Sequence, residues 1–280
     1  MTKTIAALIR DGAKRLEAAD VPDPLRDAQL LMRWATGLGA AQLIAAAEEA
    51  VSKDQLAAFE DVITRRQLRE PVSHITGRRS FWGHDFKVSS AVLDPRPETE
   101  VLVADALNRG PFERILDLGT GSGCILLSLL AAWPGAAGTG TDVSDEALSI
   151  AAANASEMEL IERTSLVRQD WLEGHLPGAP FDLIVSNPPY ISTDEMALLS
   201  PEVIEHEPHV ALTPGGDGLD AYRKIAAGAA NTLAPGGTLM LEIGPDQPHA
   251  VSAILANAGW NVLMIIPDLD QRPRVVVSQR

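Results

Sequence analysis

From Asp94 onward, short apolar runs alternate with amphipathic stretches, and this alternation limits the fold more than any other feature. It predicts strands over Arg114–Asp117, Ala137–Asp142, Thr164–Gln169, Phe181–Ser186, Thr238–Ile243, Val262–Ile266 and Arg274–Ser278. Helices are predicted over Ser122–Trp133, Asp145–Met158, Leu219–Leu233 and Pro248–Ala258. Such a pattern builds an α/β protein with a doubly wound, mostly parallel sheet. No helix separates the last two strands, so they are expected to pair as an antiparallel hairpin at one edge.

The first seventy residues read differently. Ile5, Leu8, Ile9 and Leu16 recur at helical spacing, and Asp23-Pro24 opens a second helix through Leu30, Leu31 and Trp34. Gly37 and Gly39 interrupt. Ser52-Lys-Asp-Gln55 has the form of a capping box before Leu56, Phe59, Ile63 and Leu68, and Pro71 closes that run. Between Ser80 and Leu93, Phe81, Trp82, Phe86, Val88 and Val92 surround Gly83-His84-Asp85, which suggests a short hairpin. The expected organisation is a small N-terminal helical domain over residues 1–72, a β-hairpin linker over 73–93 and the α/β domain over 94–280.

Charge and cysteine content exclude several classes. The 280 residues carry a net charge of −15. Residues 1–90 hold 13 basic and 12 acidic side chains, whereas residues 91–280 hold 10 and 26. A protein that held nucleic acid through phosphate contacts would be basic, so no direct nucleic-acid contact is expected. The only basic cluster is Arg65, Arg66, Arg69, Arg78, Arg79 and Lys87. Its place at the junction between the domains suggests that Arg65, Arg66 and Arg69 steer a protein partner. Cys124 is the single cysteine, which rules out an internal disulfide and any Cys-cluster metal site. The first 23 residues lack the apolar core of a secretory signal, and the longest apolar stretch, Cys124–Trp133, is too short to span a bilayer. A soluble, cytoplasmic, membrane-free monomer without a bound metal is expected.

Leu116-Asp117-Leu118-Gly119-Thr120-Gly121-Ser122-Gly123 joins the first strand of the sheet to its first helix. Glycines there let backbone N–H groups approach a ligand closely. The spacing is Gly-x-Gly-x-Gly, not that of dinucleotide folds, and Asp117 would repel a pyrophosphate. An acid suits a cation, and S-adenosylmethionine carries a sulfonium and no phosphate. Asp142 ends the second strand about 20 residues on, where a carboxylate can accept from ribose hydroxyls. Asp170 and Trp171 follow the third strand, where an indole could cover an adenine and Asp170 accept from its amino group.

Ser186-Asn187-Pro188-Pro189-Tyr190 follows the fourth strand at the same sheet edge. Two prolines stiffen the loop and remove two N–H donors, leaving carbonyls and the Asn187 side-chain oxygen as acceptors. Two acceptors can grip the hydrogens of a planar –NH₂ group while Tyr190 stacks on its plane. Such a clamp presents the nitrogen to an electrophile and stabilises the positive charge that develops on it.

Asn-Pro-Pro-Tyr with the Asp-Leu-Gly-Thr-Gly-Ser-Gly turn resembles the amino methyltransferases that use S-adenosylmethionine. Pro71–Gly77, Phe81-Trp82-Gly83, Phe86–Val88, Pro95–Glu100, Glu207-Pro208, Gly216–Leu219 and Arg274-Val275 narrow the resemblance to the peptide chain release factor glutamine methyltransferase family (PrmC/HemK). The resemblance implies a seven-stranded class I methyltransferase domain that methylates the side-chain amide nitrogen of the glutamine in a Gly-Gly-Gln loop of release factors. It implies that Gly119, Thr120, Gly121, Ser122, Gly123, Asp142, Asp170, Trp171 and Asn187 contact the cofactor. It further implies that Asn187, Pro188, Pro189 and Tyr190 hold the glutamine, with Asn187, Pro188 and Tyr190 acting in catalysis. The N-terminal helices are implied in release-factor recognition. Asp270-Gln271 departs from the family, standing where small residues and a glycine are expected.

Other conspicuous residues take plainer readings. His74, His84, His206 and His209 lack metal-like spacing and are expected on the surface or in structural roles. Cys124 reads as a small buried hydrophobe, and Glu98 and Glu100 as helix-start residues. The competing functions are a ribosomal-protein glutamine methyltransferase, a DNA adenine or ribosomal RNA guanine amino methyltransferase, and a non-enzymatic S-adenosylmethionine-binding module.

Overall fold

The computed structural model describes residues 3–170 and 179–280. The chain up to Arg78, together with Ser200–His206, forms one compact unit, and Arg79–Leu199 with Glu207–Arg280 forms the other.

The first unit is helical. Helices Ile5–Glu17, Pro24–Thr36 and Lys53–Gln67 follow the sequence pattern, and their apolar faces meet in a core of Leu8, Leu16, Leu31, Met32, Phe59 and Ile63. The capping box is present: Gln55 N–H donates to Ser52 Oγ at 3.1 Å, and Ser52 N–H donates to Gln55 Oε1 at 2.9 Å. Helices Ala40–Ala45 and Val72–Thr76 are too short to show a helical period in sequence. Helix Pro201–His206 also packs into this unit.

The arginines expected to steer a partner are used inside the unit. Arg66 is almost fully buried and donates to Asp27 Oδ2 at 2.8 Å and to Glu202 Oε1 at 3.0 Å. Arg69 donates to both Glu202 oxygens at 2.7 Å, and Arg65 donates to Glu70. Burial without partners would cost these guanidinium groups several kcal/mol, so acids gather around them. Arg65, Arg66 and Arg69 therefore do not form a free basic patch. Although burial works in the opposite direction, hydrogen bonds from Arg69 and Arg66 hold Glu202 down to about 2, below its ordinary 4.5. A depressed carboxylate stabilises the fold above the unfolded value and loses that contribution as pH falls from 4.5 toward 2. Glu202→Gln is expected to destabilise the protein at pH 7 by about 2 kcal/mol after allowance for solvent screening, and to flatten its acid unfolding limb. Chemical denaturation as a function of pH reads both effects.

The second unit begins inside β1 (Arg78–Phe81), which pairs with β2 (His84–Lys87) in a two-stranded sheet. The turn is Trp82-Gly83, both left-handed at φ 49° and 75°, as a type I′ hairpin requires. It therefore precedes the expected Gly83-His84-Asp85, and His84 and Asp85 lie in the strand. Glu100 opens helix Glu100–Arg109 and accepts from Trp82 N–H at 2.8 Å, which secures the unusual tryptophan backbone.

Seven further strands follow: β3 (Arg114–Leu118), β4 (Ala137–Asp142), β5 (Thr164–Arg168), β6 (Phe181–Ser186), β7 (Leu233–Glu242), β8 (Asn261–Pro267) and β9 (Pro273–Gln279). They form one sheet in the order β5-β4-β3-β6-β7-β9-β8. β3 through β7 pair in parallel, whereas β9 runs antiparallel to both β7 and β8. The terminal hairpin is thus at an edge as expected, with β8 outermost. Alternate residues feed two cores. Ile115, Leu183, Val185 and Met240 face Leu102, Val103 and the largely apolar helix Cys124–Ala132. Leu116, Ile184, Leu239 and Leu241 face Tyr222, Ile225, Val251 and Leu255.

Most predicted boundaries move by a residue or two, and the strand expected from Thr238 already begins at Leu233. The helix expected from Ser122 begins at Cys124, because Gly121 and Gly123 are still turning through left-handed backbone. The helix expected to reach Leu233 ends at Gly228, and Leu233 already belongs to β7, opposite Phe181. Leu233 keeps helical spacing, yet sheet pairing claims it. Among the described residues no helix is long and apolar enough to cross a membrane.

Candidate active site

Strand register brings the sequence motifs together. Leu118 pairs with Thr141 on one side and Ser186 on the other, so one step further Gly119, Asp142 and Asn187 stand side by side. This is the carboxyl edge at the point where the strand order reverses, the usual ligand crevice of such sheets. A cavity of about 310 Å³ opens there. Gly119, Thr120, Gly121 and Ser122 line it from the first loop, Asp142 and Asp170 from the ends of β4 and β5, and Asn187 and Pro189 from the loop after β6. Val92, Arg96, Pro208 and Val210 complete the wall. Gly123, Pro188 and Tyr190 lie beside this lining and not within it. Trp171 lies outside the described residues.

The glycine loop is built for close approach. A Cβ on left-handed Gly121 would meet nothing within 4 Å, so glycine there answers a backbone demand. Asp142 shapes the loop by accepting from Gly121 N–H and Ser144 N–H, each at 3.0 Å, and its oxygens retain lone pairs for a ligand. Asp117 is fully buried, and its Oδ2 accepts from the Thr120 hydroxyl at 2.7 Å. Burial raises its carboxyl to about 7, and the neighbouring Asp142 charge adds to the rise. A phosphate would meet two acids in this corner, whereas a cation would relieve them. These residues fit a sulfonium-bearing nucleoside.

The loop after β6 is held from behind. Asn187 Nδ2 donates to Thr99 Oγ1 at 3.2 Å, which leaves Oδ1 as the free acceptor of the amide. Gln247 Nε2 donates to the Tyr190 carbonyl at 2.9 Å, and Gln247 Oε1 accepts from Gly244 N–H at 3.1 Å. Tyr190 packs against the cluster around Tyr222, and burial raises its phenol to about 12, so it stays neutral. Arg96 Nη2 donates to both oxygens of buried Glu207 at 2.7 Å. Burial pushes Glu207 up to about 7 despite that cation.

Sequence reasoning did not reach Thr99, Gln247 or Glu242. The available signal was Glu242 itself, an acid closing an otherwise apolar run, Leu239-Met-Leu-Glu242. Cys124 is buried, with its thiol raised to about 12 by burial, in keeping with a packing role. Glu98 sits in a 3₁₀ turn and Glu100 at a helix start, as expected. His206 Nε2 contacts the Leu68 carbonyl at 3.1 Å. The Asp270-Gln271 departure is absorbed locally: Asp268 Oδ1 accepts from Asp270 N–H and Arg272 N–H at 2.9 and 3.0 Å, while Gln271 takes the left-handed conformation at φ 63°.

Known proteins resemble this chain over nearly its full length. Residues 7–77 match the family model described as PrmC N-terminal domain, and residues 89–255 match that of the methyltransferase small domain. A release factor glutamine methyltransferase of Cereibacter sphaeroides is 47% identical, covering 98% of both chains. Another, from Caulobacter vibrioides, is 43% identical over 99% of this chain and 97% of its own. Among solved structures, a methyltransferase from Pyrococcus furiosus shares the fold at TM-score 0.53 and 18% identity, covering 71% of this chain and 90% of its own.

Proposed function

This chain belongs to the release factor glutamine methyltransferase family and is an S-adenosylmethionine-dependent methyltransferase; on that premise we propose that it methylates the side-chain amide nitrogen of the glutamine in the Gly-Gly-Gln motif of peptide chain release factors. The observation that carries this reading is the Asn187 amide, whose Nδ2 is engaged by Thr99 so that Oδ1 is left to receive a substrate N–H. Pro188 and Pro189 offer no donors, so the loop after β6 presents acceptors to a planar –NH₂ group. An amide nitrogen is a poor nucleophile because its lone pair is delocalised, and fixing it in line therefore contributes much of the rate. When bound, S-adenosylmethionine would supply an electrophilic methyl group with the sulfonium sulfur as leaving atom, and the residues of the glycine loop with Asp142 and Asn187 would hold it. The Asn187 oxygen and a loop carbonyl stabilise the positive charge on the amide nitrogen, which then loses a proton to water.

Gly119, Thr120, Gly121, Ser122, Gly123, Asp142, Asp170, Trp171 and Asn187 would hold the cofactor, and Asn187 to Tyr190 the glutamine. The acidic balance of residues 91–280 supports a protein substrate over nucleic acid. A cytoplasmic monomer completes the reading.

The test offers labelled S-adenosylmethionine together with a release factor, its Gly-Gly-Gln→Gly-Gly-Ala variant, a ribosomal protein, or DNA and ribosomal RNA. Label is expected in the wild-type release factor alone. Equal labelling of the variant, or labelling of nucleic acid, would overturn the assignment.

A further inference from the structure

An amide side chain has two faces of opposite polarity, and only one orientation of Asn187 serves the reaction. With Oδ1 toward the cavity it accepts from a substrate N–H; turned over, it would offer a second donor and repel that group. Thr99, which Asn187 Nδ2 contacts, cannot set this orientation alone, because a hydroxyl both donates and accepts.

Something must fix where the Thr99 proton points, and the sheet supplies it. Ser186 pairs with Leu241, so one step further Asn187 falls opposite Glu242 on β7. Glu242 is 1% exposed, and the hydroxyl of Thr99, itself 2% exposed, lies beside its carboxyl. Glu242 Oε2 has no hydrogen-bond partner among the described residues. An acid this deeply placed works against stability, and no step of the proposed transfer uses it. Burial pushes its carboxyl up, while the Thr99 hydroxyl and the charges of Arg274 and Arg96 act against that rise and Glu98 adds to it.

We propose that Glu242 is a positioning residue that acts through Thr99: its carboxylate accepts a hydrogen bond from the Thr99 hydroxyl, leaving the Thr99 lone pair to accept from Asn187 Nδ2 and turning Asn187 Oδ1 toward the substrate nitrogen. Burial raises the Glu242 carboxyl to about 7, and above that pH the carboxylate accepts only, so the direction of the chain Asn187 to Thr99 to Glu242 is fixed from its buried end. This inference rests on the reading that Asn187 Oδ1 receives the substrate –NH₂ group.

The experiment compares release-factor methylation by Thr99→Val, Thr99→Ser, Glu242→Gln, Asn187→Ala and the double variant Thr99→Val/Asn187→Ala. Thr99→Val keeps the volume and removes the acceptor; misorienting the amide is expected to lower kcat about 10- to 100-fold. Thr99→Ser retains the hydroxyl and is expected to remain within about threefold of wild type. Glu242→Gln can donate as well as accept and so loses the directing polarity. Its kcat is expected to fall about tenfold while its melting temperature holds or rises, since a buried charge is removed. A purely structural role would move activity and stability together. The double variant is expected to be no slower than Asn187→Ala, because Thr99 acts only through Asn187.

If Asn187→Ala is inactive while Thr99→Val and Glu242→Gln keep kcat within twofold of wild type, the inference fails and the proposed function stands. If Asn187→Ala is fully active, the proposed clamp fails, and the inference with it. Should Thr99→Val not fold, Thr99→Ser and Glu242→Gln decide: wild-type turnover in Glu242→Gln overturns the inference.

Discussion

Asn187→Ala is expected to slow methyl transfer by about 100- to 1,000-fold, the range seen when one preorganised group facing a developing charge is removed. The magnitude follows from the position of the group. Asn187 stands at the carboxyl edge between the ends of β3 and β7, lines the cavity, and presents a side-chain amide acceptor there. Water could fill the space left by alanine, yet a mobile water does not hold an amide hydrogen in a fixed direction. The fold should survive: Asn187 is only partly buried, and its one side-chain bond is to Thr99. Single-turnover methylation measured beside a thermal melt separates the two effects, and wild-type turnover in a folded variant would remove the clamp from the mechanism.

Gly218→Ala is expected to be nearly as damaging, from a residue outside the cavity. Gly218 is left-handed at φ 76°, and a Cβ there would lie 2.3 Å from the Tyr190 carbonyl oxygen and 3.1 Å from Ser192 N. These are backbone atoms, so no flexible side chain can give way. Relief must come from moving the segment that follows Pro189, and with it the carbonyl that accepts from Gln247. Left-handed strain together with this overlap should cost about 2–4 kcal/mol. A shift of about 1 Å in the acceptor loop can by itself lower turnover about 100-fold. Retention of both the melting temperature and kcat would show that the Tyr190 segment is not held in one place.

Much of the architecture was legible because its signals are local. Gly119 to Gly123 lies between a strand and a helix within ten residues, Asn187 to Tyr190 is a contiguous word, and the Ser52–Gln55 box spans a single helical turn. Register then carried these words to one edge without further information. What stayed hidden depends on partners distant in sequence. Thr99 meets Asn187 across 88 residues, and Arg66 meets Glu202 across 136. A charge count therefore saw a basic cluster where folding supplies acids. Trp82 misled for another reason: a left-handed tryptophan runs against backbone preference, and only the Glu100 carboxylate on its N–H makes the turn intelligible. At Leu233 a correct helical spacing lost to a strand partner, Phe181.

The capture of Ser200–His206 by the helical unit means that this unit is continuous in space but interrupted along the gene. Synthesis runs from the N-terminus, so Arg66 emerges well over a hundred residues before the acid that completes its neutralisation. Until then its guanidinium has Asp27 and the Glu70 carbonyl to satisfy it, and Arg69 has only the Asp20 carbonyl. A nascent chain halted after Arg78 would hold an unfinished module. The helical unit is therefore not encoded as a simple prefix of the gene, because its last helix, Pro201–His206, is encoded inside the half that holds the methyltransferase domain.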